Sequence, residues 1–389
     1  MFIYNKNDIF RKTYVEINLD HFQHNINLLR NSLAPNTFFC PMVKANAYGH
    51  GDIALTRVLE HMGVKHVGVC LIEEALRLRQ ANIKIDILVF RGFDRRGAKK
   101  IIENKLTPVV GTWEQLENII ELSEGAYPIH LKINTGMNRL GFDLDDMQAL
   151  FERIKDEKKI KLEGVLTHFF EGEDANLANG NSAEQLRNFI SETQIFEPLR
   201  PHFHILNSSG LVHQISKKAE HDLFQIKNLG ARPGIACYGH NPIASQVELD
   251  LRSVMTLKSF VSMTHNLKEG EGVSYNATWR AERDSKVAVV PIGYADGYHR
   301  ILGNRAQALY KGQRVPVIGS VCMDFLILDI TDVKENNKSE EVILFGKDVT
   351  ISELAELAET IPWELMTSIS ERVPRKYIGE LASLVEDII

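Results

Sequence analysis

No stretch of this 389-residue chain reaches the roughly 20 consecutive apolar residues that cross a bilayer, so no membrane-spanning helix is expected. Cysteine is scarce as well. Cys40, Cys70, Cys237 and Cys322 stand far apart with no CxxC pair, which leaves neither a zinc site nor a disulfide framework indicated, and no metal is expected. An excess of one charge is also missing: 45 Lys and Arg against 51 Asp and Glu give a net charge of −6, which argues against nucleic acid as the main partner. There is no short internal repeat and no low-complexity tract. Met1 to Lys12 mixes Asn5, Lys6, Asn7, Asp8 and Arg11 among its apolar residues, so it lacks a signal-peptide apolar region and cytoplasmic residence is expected.

What remains is an ordinary globular composition, 44% hydrophobic and 25% charged. The length suits about two to three domains, or one large barrel with a smaller domain. Eight short apolar runs alternate with helix-like segments: Phe38–Val43, His66–Cys70, Ile87–Phe90, Thr107–Val110, Ile129–Ile133, Leu162–Thr167, Phe203–Leu206 and Asn228–Ala231. Eight parallel β/α units close a (β/α)8 TIM barrel, an α/β architecture, here expected over 13–245. The intervening segments carry helical spacing, as in Leu55, Val58, Leu59 and Met62 or Ile72, Ala75 and Leu78. Asp20 is the expected cap of a first helix. From 246 to 389 the pattern turns to β-rich runs, Met255–Met263, Val287–Ile292, Val315–Val321, Phe325–Ile330 and Val342–Phe345, which predict a mainly β domain. One helix is expected there behind a capping box of Thr350 and Glu353, and Asn336, Asn337 and Lys338 are the expected hairpin turn.

Chemistry-bearing residues collect where barrel strands end, the face on which such barrels place their active sites. Lys44 follows the first run in Val43-Lys44-Ala45-Asn46-Ala47-Tyr48-Gly49-His50-Gly51. A lysine at the end of a buried strand is partly desolvated, which favours the free amine that attacks an aldehyde such as that of pyridoxal phosphate. The alternative is an ordinary strand-end lysine with its ammonium in water. Lys132 and Arg139 lie at and after the fifth run, His168 ends the sixth, Asn207 and Ser208 follow the seventh, and Arg232 follows the eighth. Asn207-Ser208-Ser209-Gly210 and Arg232-Pro233-Gly234-Ile235 read as phosphate cradles of exposed N–H groups, or simply as helix caps. Each of these residues alone has an equally ordinary structural explanation, and it is their joint placement that points to a site.

These motifs, in this order and over nearly the whole chain, resemble the alanine racemases, fold-type III pyridoxal phosphate enzymes. The resemblance extends through Asn134-Thr135-Gly136-Met137-Asn138-Arg139-Leu140-Gly141, Thr167-His168-Phe169, Val273-Ser274-Tyr275, Pro291-Ile292-Gly293-Tyr294-Ala295-Asp296-Gly297, Cys322-Met323-Asp324 and Arg372-Val373-Pro374-Arg375. It implies an isomerase that interconverts L- and D-alanine with two bases and supplies D-alanine for peptidoglycan. Lys44 would hold the cofactor as a Schiff base and exchange the α-proton on one face. Tyr275 from the partner subunit of a homodimer would exchange it on the other, assisted by a hydrogen-bond chain through His168 to Arg232. Tyr48, Asn207, Ser208, Gly234, Ile235 and Trp363 match phosphate-side positions. Arg139 matches the arginine near the phenolic oxygen, Lys132 a lysine that is often carbamylated, and Met323, Asp324 and Tyr294 substrate-side positions. The resemblance also implies that an initial strand, about residues 1–12, joins the C-terminal domain.

Four departures bear on substrate choice. Trp363 stands where tyrosine is usual, Asn276 where glycine is usual, and Ser320 where arginine is frequent, while Phe169-Phe170-Glu171-Gly172-Glu173-Asp174 replaces smaller residues. A racemase preferring serine or another small amino acid is therefore a second reading. A non-catalytic pyridoxal phosphate carrier is a third, although it would need neither the β domain nor Tyr275. A decarboxylase or aldolase on a related barrel is a fourth, disfavoured by the β-domain motifs.

Overall fold

The computed structural model describes residues 10–172, 180–216, 229–334 and 339–388. Residues 1–9, Glu173, Asp174, Asn228 and the expected turn at Asn336 to Lys338 lie outside the described residues. Two compact units are present: one holds Gln23–Ala47 and Asp52–Arg252, the other the described residues through Phe22, Tyr48–Gly51 and those from Ser253 onward.

In the first unit, seven parallel strands pair in sequence order: β2 (His66–Val69), β3 (Asp86–Val89), β4 (Thr107–Val110), β5 (Tyr127–Lys132), β6 (Ile160–Leu166), β7 (His202–Leu206) and β8 (Gly230–Ala231), after β1 (Tyr14–Asn18) of the other unit. The first of the eight runs, Phe38–Val43, bonds to both edges of this sheet. Cys40 N–H donates to the Ala231 carbonyl at 2.9 Å, and Val43 N–H to the Gly68 carbonyl at 2.8 Å. The curled sheet thereby closes on itself. Pro41 has no N–H, so the segment forms isolated bridges instead of a continuous ladder.

The strands are buried almost along their length because helices cover the outside and side chains fill the inside. On the helix Asp52–His61, Leu55, Val58 and Leu59 are fully buried, each worth about 1.5–3 kcal/mol of transfer free energy. The interior is partly polar. A Cβ on Gly164 would stand 2.2 Å from His130 Nδ1, and one on Gly230 would stand 2.7 Å from His204 Cβ, so glycine at those two strand positions makes room for two inward-facing imidazoles.

The second unit is built on a nine-stranded sheet in the order β10-β13-β16-β15-β14-β17-β9-β1-β18. Its strands are β9 (Met255–Phe260), β10 (Met263–Leu267), β13 (Ser285–Val290), β14 (Gln307–Tyr310), β15 (Gln313–Ile318), β16 (Leu326–Asp329), β17 (Glu341–Phe345) and β18 (Arg375–Ile378). A two-stranded ribbon of β11 (Gly272–Val273) and β12 (Trp279–Arg280) stands apart. Among the described residues, the N-terminal strand that joins this sheet is Tyr14–Asn18, parallel to β18 and antiparallel to β9. Its period-two pattern buries Val15 and Ile17.

Two expected caps differ. The helix Leu19–Asn31 is capped by Asn18, whose Oδ1 accepts the His21 N–H at 3.0 Å, while Asp20 turns back to accept the Glu380 N–H at 2.9 Å. Thr350 does cap the helix Ile351–Leu357, accepting the Glu353 N–H at 3.2 Å, but Glu353 does not reciprocate: its carboxylate takes Arg314 at 2.6 and 2.8 Å, a stronger bond than a backbone N–H offers. A second helix, Pro362–Ser368, follows and carries Trp363.

Candidate active site

Lys44 opens a turn that no side-chain pattern announces. Ala45, Asn46 and Ala47 all take left-handed backbone angles near φ 50°, ψ 50°, and Tyr48 follows at φ 53°. Left-handed geometry crowds Cβ against the following carbonyl and costs about 1–2 kcal/mol per non-glycine residue. Such strain persists only where surroundings enforce it, and it concentrates at functional sites.

Lys132 is the last residue of β5 and is buried. Burial, then the positive charges of Arg139, Arg232 and Lys44, push its amine down to about 8. The same cations reinforce burial at His168, pushing that imidazole down to about 3, so it is neutral near pH 7. The charges of Lys44, Arg139 and Arg232 thus reach both Lys132 and His168 at the strand ends.

Arg232, only 5% exposed and brought down to about 10 by burial, gives its hydrogens to His204 Nδ1 at 2.8 Å, the His204 carbonyl at 2.6 Å and the Thr167 carbonyl at 2.6 Å. Among the described residues it makes no hydrogen bond to His168, so the expected chain runs elsewhere. His204 Nε2 meets His130 Nδ1 at 2.8 Å. Because a guanidinium only donates, His204 Nδ1 is the acceptor, its proton sits on Nε2, and that proton goes to His130. Burial holds both imidazoles well below their ordinary range and therefore neutral.

The cradle at β7 and β8 is tied together by Ser208. Asn207 caps the helix Ser208–Ile215 by accepting the Gly210 N–H at 2.9 Å, and Ser208 Oγ accepts the Gly234 N–H at 2.9 Å and the Ala236 N–H at 3.3 Å. Ile235 begins the short turn that follows. The helix start directs the positive end of its dipole to the ends of β7 and β8, a placement that favours a phosphate.

In the other unit, Tyr275 is 66% exposed and Met323 53%. Ser274 donates its hydroxyl to the Ser320 carbonyl at 2.6 Å, and Ser320 Oγ donates to the Tyr275 carbonyl at 3.4 Å, so the tyrosine loop is pinned to the Cys322–Met323 segment. Asn276 has φ 65°, a left-handed position that asparagine tolerates better than most residues, which explains its replacing glycine. Tyr294 N–H donates to the Cys322 carbonyl at 3.0 Å, and Gly293 is obligatory because a Cβ there would lie 2.2 Å from that oxygen. Asp324 accepts Arg372 Nη2 at 2.6 Å. Tyr48 is buried, with the His50 Nδ1 hydrogen on its carbonyl at 3.0 Å, and Trp363 is half-buried.

Sequence reasoning missed His130, His204 and Gln185. Gln185 is buried on the helix Asn181–Thr193, donates to Thr135 Oγ1 at 3.2 Å and the His168 carbonyl at 3.1 Å, and accepts the Phe170 N–H at 3.0 Å. It joins the two loops that bear Arg139 and His168. The available signal is a polar residue inside an apolar run, His130 within Ile129–Ile133 and His204 within Phe203–Leu206, or on a helix face, Gln185.

A closed parallel barrel with an amine and an anion cradle at its strand ends, followed by a β domain bearing exposed tyrosines, defines a two-domain enzyme class that binds a phosphorylated carbonyl compound. Residues 17–242 match the profile of the alanine racemase N-terminal domain and 254–377 that of the C-terminal domain. The chain belongs to the alanine racemase family. It is 37% identical to the alanine racemase of Sorangium cellulosum, covering 94% of this chain and 99% of that one. The Clostridium difficile alanine racemase structure superposes with a TM-score of 0.86 at 30% identity, covering 96% and 97% of the two chains. An alanine racemase structure from Bartonella henselae with covalently bound pyridoxal phosphate does so at 0.83 and 28%, covering 94% and 99%.

Proposed function

We propose that this chain interconverts L- and D-alanine with pyridoxal 5′-phosphate carried on Lys44. The observation that carries the reading is the gathering of Lys44, Lys132, Arg139 and Arg232 at the strand ends, where the charges of the other three help to lower the amine of Lys132. The residues fit that cofactor: an amine for its aldehyde, the Asn207, Ser208, Gly234 and Ile235 cradle for its phosphate, and Arg139 for its phenolic oxygen. When bound, the cofactor draws electrons from the substrate's α-carbon and weakens the bond to its hydrogen.

The Lys44 amine takes or returns that proton on one face, and the phenolic oxygen of Tyr275 does so on the other. Arg232 would serve the ring nitrogen as a donor that does not readily release its proton, which would leave that nitrogen unprotonated and limit side reactions. His168, neutral near pH 7, supports Tyr275 without adding charge. Arg139 and the backbone of the partner subunit's Met323 would take the substrate carboxylate, and Lys132 as a carbamate would fix Arg139.

The reading extends to a homodimer with shared sites, since Lys44 and Tyr275 belong to different units of the chain, and the exposure of Tyr275, Tyr294 and Met323 supports it. Cytoplasmic D-alanine supply for peptidoglycan is the accompanying role. The test is chiral chromatography of L-alanine and L-serine incubated with enzyme and cofactor, beside a Tyr275→Phe control. Alanine turnover lost in the control is expected. Faster turnover of serine than of alanine would move the specificity to Trp363 and its neighbours, and no turnover of either would overturn the reading.

A further inference from the structure

The left-handed turn after Lys44 needs an external restraint, and the helix Ile72–Gln80 supplies one. Glu74 Oε2 accepts the Cys70 and Leu71 N–H groups at 2.8 and 2.9 Å, which is the ordinary work of a third-position glutamate capping its own helix. Its other oxygen has a different partner. Glu74 Oε1 accepts the N–H of Ala45 at 2.6 Å, the first left-handed residue and the immediate neighbour of Lys44.

One helical turn further on, Arg77 reaches the same segment. Its Nη2 donates to Asn46 Oδ1 at 3.3 Å, and its Nε donates to Asp52 Oδ2 at 3.0 Å while Nη2 also pairs with that oxygen. Asn46 Oδ1 in turn accepts the Asp52 N–H at 3.1 Å. Two side chains three residues apart on one helix face therefore hold two consecutive left-handed residues, Ala45 and Asn46. Capping requires only one of the carboxylate's oxygens, so the bond to Ala45 is additional to helix stability.

We infer that Glu74 and Arg77 are positioning residues that clamp the left-handed turn and so aim the amine of Lys44. This rests on Lys44 being the cofactor-bearing lysine. A relaxed turn would leave the amine free to explore directions from which it meets the carbonyl poorly, and near-attack placement is where catalytic groups gain most of their rate.

The test mixes apoenzyme with pyridoxal phosphate and follows covalent attachment by absorbance. Glu74→Gln keeps an oxygen for the helix cap but turns an amide NH2 towards the Ala45 N–H, donor against donor. Attachment slowed at least tenfold is expected, with kcat reduced and KM for alanine little changed. Adding Ala45→Gly should restore much of the rate, because glycine takes left-handed angles without cost. A merely structural role for Glu74 would not be rescued this way. Wild-type attachment in folded Glu74→Gln, or no rescue by Ala45→Gly, would overturn the inference. Should Glu74→Gln not fold, Arg77→Lys provides the same reading: it keeps the charge beside Asp52, loses the fork to Asn46, and is expected to slow attachment several-fold, an unchanged rate again overturning the clamp. Lys44→Ala separates the premise from the inference, since attachment persisting in that variant contradicts Lys44 as the carrier and not the geometry of the turn.

Discussion

Arg232 donates to Nδ1 of His204 at 2.8 Å, and that single bond fixes the proton positions of two buried histidines in succession. The guanidinium is thereby oriented by neutral acceptors and keeps its full charge for whatever lies above the strand ends. His204→Leu would leave a buried N–H of Arg232 without its acceptor. A loss of about 1–3 kcal/mol in unfolding free energy is expected, together with a fall in kcat, measured by urea denaturation and turnover. Wild-type values in both would show that the bond does not orient Arg232.

Stability should depend on pH through the buried imidazoles. Burial sets His168 at about 3 and holds His130 and His204 well below the ordinary value near 6.5. Unfolded, these side chains take up protons below about pH 6.5, and folded they do not. Their contribution is therefore complete above about pH 6.5 and declines as pH falls towards 3, by up to ~1.4 kcal/mol per pH unit per histidine. Urea midpoints at about pH 7.5 and pH 5 check the sign. An equal or higher midpoint at the acid value would contradict buried, neutral histidines.

Lys132, brought down to about 8, holds an appreciable fraction of free amine at neutral pH, the form that captures carbon dioxide. Labelled bicarbonate should give a carbamate carbon resonance in the wild type that is missing from Lys132→Ala. Loss of the negative charge beside Arg139 is expected to lower turnover about tenfold, the worth of one charge-assisted bond of ~1.5 kcal/mol, and Lys132→Glu should recover part of it. No resonance would mean the amine itself occupies the site.

If two subunits share each site, mixing inactive Lys44→Ala with inactive Tyr275→Ala should restore activity. Random exchange makes half the dimers mixed, each with one complete site, so about a quarter of the wild-type rate is expected. No recovery after confirmed exchange would rule out sharing between subunits.

The sequence by itself determined the element types, because periodicity follows from which faces are buried: continuous apolar runs for strands covered on both sides, 3.6-residue spacing for helices, and alternation for the C-terminal sheet. It also determined which residues stand at strand ends, since Lys44, Lys132, Asn207 and Arg232 are adjacent in the chain to the runs that position them. Only the tertiary structure decided what those residues touch. The bonds of Glu74 to Ala45, Gln185 to Thr135, and Arg232 to His204 join positions 29, 50 and 28 residues apart. No local pattern encodes such pairings, because a side-chain hydrogen bond depends on how strands register and where glycines such as Gly164 leave room. The left-handed turn was equally hidden: alanine disfavours it, a single asparagine tolerates it without prescribing it, and contacts from another helix hold the chain there.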